Sequence, residues 1–144
     1  MKRKTLVFKV LGLLFIFFGL FAIGGSIFLW GAGFYFNFPN GVDLALPSAD
    51  LFVNGPASIL TGIGLWKTRK WGYVMAWFTA GFYLYASVEV FVFALQDGNM
   101  TPEIYIPQSL AVAAAIIVML VTWKWKDQFN SLEDDLKYLL FVYK

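Results

Sequence analysis

The sequence predicts an all-α integral membrane protein: an antiparallel four-helix transmembrane bundle with an outer loop cap and a C-terminal amphipathic helix. Three observations predict it. The 144 residues are 60% hydrophobic and only 14% charged, a balance far from that of a soluble domain and suited to lipid as solvent. Four apolar runs, about Val7 to Trp30, Leu51 to Trp66, Tyr73 to Leu95 and Tyr105 to Trp123, come near the ~20 residues that cross ~30 Å of hydrocarbon. The basic residues are sorted between the connecting segments. Lipid leaves helices or closed barrels as the spanning structures, and these runs lack the period-two alternation of a barrel strand.

Lys2, Arg3, Lys4 and Lys9 precede or open the first run, Lys67, Arg69 and Lys70 separate the second from the third, and Lys124 and Lys126 follow the fourth. The other two connections, Gly31 to Asp50 and Gln96 to Glu103, contain Asp43, Asp50, Asp97 and Glu103 and neither Lys nor Arg. The positive-inside rule then predicts a multi-pass protein of the cell membrane with both termini cytoplasmic. Residues 1–126 form the four-span transmembrane domain and residues 127–144 a cytoplasmic tail.

A basic start followed by an apolar run also opens a secretion signal. The run after "MKRKTLVFK" exceeds the ~7–15 residues of a signal's apolar region, which predicts a retained span. The second run is short and opens with Asn54 and Pro56, so it borrows residues from the preceding loop, thins the bilayer locally or dips part-way; the charge sorting favours a full crossing. The link "KTRKWG" predicts a tight hairpin between the second and third helices. Gly12, Gly19 and Ser26 recur at sevens along the first run, and Ala111 with Ala115 gives a small-residue pair in the fourth, both marking close helix approach.

Outside the runs, "GAGFYFNFPNGVDLALPSAD" mixes aromatics with turn formers, which predicts a cap on the outer interface. The tail "SLEDDLKYLLFVYK" opens with Ser131 and Asp134 at capping-box spacing, and Leu132, Leu136, Leu139, Leu140 and Tyr143 follow helical spacing, an amphipathic helix for the membrane surface or for a partner.

Function classes narrow by elimination. The chain has no Cys and no His, which excludes disulfides, thiolate nucleophiles, His-ligated haem and the usual zinc sites. There is no G-x-S-x-G, Walker loop or H-E-x-x-H. The expectation is therefore a protein that is not an enzyme, carries no metal or cofactor, and with a formal charge of +2 binds no nucleic acid.

The candidate site centres on Glu89. It lies six residues before the end of the third run, roughly 9 Å below the outer boundary at ~1.5 Å per residue, where a charge is costly. Every Lys and Arg falls on the other side, and Lys9 would be roughly 20 Å away along the bundle. The acid must then be neutral, hydrogen-bonded, or paired with an external cation. Donors are at hand. Asp50, Asn54, Ser58 and Thr61 follow at four, four and three, a polar stripe on one face of the second helix; Gln108, Ser109 and Ser26 reach similar depth, and Tyr85 precedes Glu89 by one turn. Two readings follow: an outward-open pocket with Glu89 at its floor and Asp50, Asn54, Ser58, Tyr85 and Gln108 around it, or a neutral Glu89 that fixes helix packing through Asn54 or Gln108. At the level of function these correspond to a small membrane protein with a non-enzymatic binding or accessory role, or to a proton- or cation-coupled transporter or channel subunit for a small cationic or amphipathic molecule. The predicted partners are the lipid bilayer and either further copies of the chain or a membrane protein.

Overall fold

The computed structural model describes residues 2–31, 48–96, 98 and 100–129. The expected loop cap and amphipathic tail lie outside the described residues. What is described is all-helical, without strands: α1 (Lys2–Gly31), α2 (Gly55–Trp66) led in by a π turn (Asp50–Asn54), α3 (Lys70–Gln96), α4 (Pro102–Lys124), and a closing 3-10 turn (Lys126–Gln128). Three stretches, Thr5–Phe28, Lys70–Gln96 and Tyr105–Lys124, are long and apolar enough to cross a membrane.

The second helical segment gains its length from the π turn. Helical structure runs unbroken from residue 48 to residue 66, roughly 28 Å at an α-helical rise. Pro56 has no N–H for Phe52, and its ring crowds that carbonyl. The turn ahead of it widens, and the Gly55 N–H donates instead to the Asp50 carbonyl, five residues back, the π-helical register.

Backbone contact replaces side chains where the first two helices meet. A Cβ on Gly12 would lie 2.7 Å from the Gly62 carbonyl oxygen, and one on Gly19 would lie 2.6 Å from the Gly55 carbonyl oxygen. Residue 12 thus faces 62 and residue 19 faces 55, which sets α1 and α2 antiparallel. The predicted hairpin follows, with Gly64 and Gly72 in backbone contact at its base. Further along, α3 and α4 run antiparallel, Trp77 against Trp123 with ring centroids 6.1 Å apart and Ser87 beside Gln108.

Each helix therefore packs on its chain neighbours, leaving α1 and α4 as the two edges. They are brought together at the end of the bundle that carries Lys9, Lys67, Lys70 and Lys124, here called the basic end. There Phe8, fully buried, packs edge-on against Trp125 at 5.9 Å and Phe129 at 4.9 Å. The apolar core of Phe8, Leu11, Phe15, Leu65, Ala76, Ala80, Ala115 and Val118 occupies this half and reaches Tyr83. Beyond Tyr83 the two edges are separated by a cavity.

Candidate functional site

All four helical segments contribute to this cavity of about 600 Å³, within the range of small-molecule sites. From α1 come Phe17, Phe18, Phe21, Ala22, Gly25 and Ser26; from the π turn, Asp50 and Asn54; from α3, Tyr83, Ala86, Ser87 and Val90; from α4, Pro107, Gln108, Leu110 and Ala111. Towards the basic end it is closed by Tyr83, whose ring stacks on Phe15 at 5.9 Å and 13°. Its mouth lies on the flank between α1 and α4. Phe21 there is 72% exposed and Leu110 62% exposed, although both line the cavity.

The polar wall is a continuous chain of hydrogen bonds. Asn54 Nδ2 donates to Asp50 Oδ1 at 2.9 Å, and Ser58 Oγ donates to Asn54 Oδ1 at 3.4 Å. Ser58 Oγ also lies 2.8 Å from the Tyr83 hydroxyl, where either oxygen can donate. The Asp50 carboxylate is the acceptor that ends the chain. One turn deeper, Thr61 Oγ1 lies 2.8 Å from Thr79 Oγ1. Asp50 also stands in the first turn of its helical segment, where the helix dipole favours negative charge. Because Asn54 is an amide, the chain orients and polarises but does not relay protons.

The sequence-predicted residues divide into two groups. Asp50, Asn54 and Gln108 line the cavity, and fully buried Ser58 braces Asn54 from behind. Tyr85 is 66% exposed, and neither it nor Glu89 lines this cavity. Glu89 is half-buried on α3 and makes no hydrogen bond or ion pair to a described residue. The acid in the cavity wall is Asp50, and the floor is Tyr83 rather than Glu89. Helical geometry is the reason: at about 100° per residue, Tyr83, Ser87 and Val90 share the inward face of α3, and residues two positions from Tyr83 and Ser87 point away from it.

Tyr83 and Ser87 escaped the sequence reading, although a signal for them exists. Gly72, Ala76, the adjacent pair Thr79 and Ala80, Tyr83 and Ser87 recur along α3 at intervals of three to four, and all are buried. This stripe of small and hydroxylated residues marks the packed face.

The charge of the lining is asymmetric. Among the described residues it holds one carboxylate and several neutral hydrogen-bonding groups, and no Lys or Arg. Among the described residues no group of three or more Asp or Glu could hold a metal ion. The remaining wall is aromatic and aliphatic. Such a site can accept a cation at one side and apolar material at the other. No protein-family model matches the chain, and no curated protein or solved structure does either.

Proposed function

We propose that this chain is a multi-pass membrane protein whose non-enzymatic role is to bind a small cationic molecule in the cavity, with Asp50 as its counter-ion. The observation that carries this reading is the placement of a carboxylate, with an amide to orient it, in a cavity wall whose described residues include no other acid and no basic side chain. A charge removed from water needs a partner, and a cationic ligand supplies one. The sorting of Lys and Arg supports a cell-membrane topology with both termini cytoplasmic and the basic end at the inner face. The unbroken helical segment from residue 48 to residue 66 supports the second helix as a fourth crossing.

A second reading, cation- or proton-coupled transport, is favoured by one feature. The edges α1 and α4 are brought together around Phe8, Trp125 and Phe129 and are separated by the cavity at the other end, a geometry that can hinge.

The test is thermal stability of the purified protein against a series of alkylammonium ions from tetramethylammonium to dodecyltrimethylammonium, since a ligand preferring the folded state raises apparent stability by mass action. At least one member should stabilise the native chain. Asp50→Asn should abolish the shift and Glu89→Gln should retain it. The reverse pattern moves the counter-ion to Glu89 and overturns the assignment; no shift with any member overturns the binding reading itself.

A further inference from the structure

Resting on that reading, we infer that the ligand is an amphiphile with one cationic head and one flexible alkyl tail, and that it enters sideways, through the mouth between α1 and α4. Head and tail each have a matched wall. Asp50, Asn54 and Tyr83 gather on the side formed by the π turn and the inward face of α3. Phe17 and Phe21 from α1 and Leu110 from α4 supply apolar lining. A compact cation would fill only the first region of a cavity of about 600 Å³ and leave the aromatic side without contacts, whereas an alkyl chain gains from covering it.

The entry route follows from exposure. Phe17, Phe21 and Leu110 belong at once to the lining and to the exposed surface, so the apolar side of the cavity is continuous with the flank of the bundle. In a bilayer that flank faces acyl chains. A tail can slide between α1 and α4 without leaving an apolar medium, and the head then meets the carboxylate. The same lining disfavours anionic and zwitterionic heads, because a phosphate or sulfate would find no basic side chain and would face Asp50.

The experiment uses the absence of cysteine in the native chain. Phe21→Cys and Leu110→Cys are introduced together and joined by a flexible bis-maleimide before ligand is added. Dodecyltrimethylammonium, tetramethylammonium and dodecyl sulfate are then compared by binding to the protein in maltoside detergent. On the native chain, dodecyltrimethylammonium should bind at least tenfold more tightly than tetramethylammonium, dodecyl sulfate should not bind, and Asp50→Asn should weaken the long-chain cation about tenfold or more. Cross-linking should slow its association at least tenfold relative to the unlinked double variant, whose helical content and thermal midpoint beside those of the native chain report intact folding.

Equal affinity for the two ammonium ions, still lost in Asp50→Asn, overturns the tail and leaves the cation site standing. Unchanged association after cross-linking overturns lateral entry. Binding of dodecyl sulfate as tight as that of the cation overturns both the amphiphile assignment and the counter-ion on which it rests. A lipid of the bilayer and an amphiphile arriving from water share this chemistry. Mass spectrometry separates them, because a bilayer ligand would co-purify with the native chain and be absent from Asp50→Asn.

Discussion

The Tyr83 hydroxyl lies 2.8 Å from Ser58 Oγ, and the same ring stacks on Phe15. One side chain on α3 thereby connects the helix that carries Asp50 with α1 and forms the cavity floor. The two attachments are separable. Tyr83→Phe keeps the stack and removes one neutral hydrogen bond, a loss of about 0.5–1.5 kcal/mol. Tyr83→Ala also removes the ring, about 3 kcal/mol or more. Equilibrium unfolding in detergent should rank them native, Phe, Ala. Equal losses for both variants would mean that the ring contributes nothing beyond its hydroxyl.

The buried hydroxyl pair below it allows a cleaner separation. Thr61 and Thr79 face each other at 2.8 Å and both are fully buried. Thr61→Val alone leaves the Thr79 hydroxyl without its partner and should cost about 1 kcal/mol, reduced if that hydroxyl turns back to its own helix. Thr61→Val with Thr79→Val removes both polar groups at nearly constant volume and should recover most of the loss. A double-mutant cycle measures this as a coupling energy; strictly additive losses would show that the pair does not interact.

These two pairs also show how far the sequence could be read. Helices, their order and the polar stripe Asp50, Asn54, Ser58, Thr61 follow from apolar run length and from a period of three to four, both local properties. The rotation of α3 about its axis is not local. Glu89 attracts attention as the acid inside an apolar run, yet which face of α3 turns inward is decided by the small residues that let it approach α2, above all Gly72 against Gly64. That choice selects Tyr83 and Ser87 over Tyr85 and Glu89. The cavity is less legible still, since it arises from two helices distant in sequence failing to meet beyond Tyr83. Asp50 is legible as the outer member of the polar stripe, while its place in the cavity wall depends on the π turn that extends the helix back to it.

Close approach of α1 and α2 gives a third prediction, with an internal control on the same helix. A Cβ at Gly12 would sit 2.7 Å from the Gly62 carbonyl oxygen and 3.1 Å from the Trp66 nitrogen. Both are backbone atoms that cannot rotate away, so Gly12→Ala should force the helices apart and cost about 1–3 kcal/mol. At Gly24 nothing lies within 4 Å, and Gly24→Ala should be neutral or gain up to about 1 kcal/mol from helix propensity. Parallel unfolding curves decide it; similar effects at both positions would remove backbone contact as the basis of the α1–α2 interface.

The turn between α2 and α3 offers a stabilising change. Thr68 has φ of +49°, a left-handed conformation that a β-branched residue adopts at a cost of roughly 1–2 kcal/mol. The geometry is imposed by the helix stop: the Arg69 N–H donates to the Gly64 carbonyl at 3.0 Å and the Thr68 N–H to the Leu65 carbonyl at 3.0 Å, capping carbonyls that α2 would otherwise leave unpaired. Thr68 recovers part of the cost by donating from Oγ1 to the Lys67 carbonyl at 2.8 Å. Thr68→Gly removes the strain but also that bond, and it adds freedom to the unfolded chain. The net effect should be a gain below about 1 kcal/mol. Thr68→Val keeps the strain, loses the bond, and should destabilise by about 1 kcal/mol. Thermal midpoints in one detergent should therefore fall in the order Gly, native, Val. A valine variant as stable as the native chain would show that the Oγ1 bond contributes nothing, and a glycine variant less stable than the native chain would show that the left-handed residue carries no strain worth relieving.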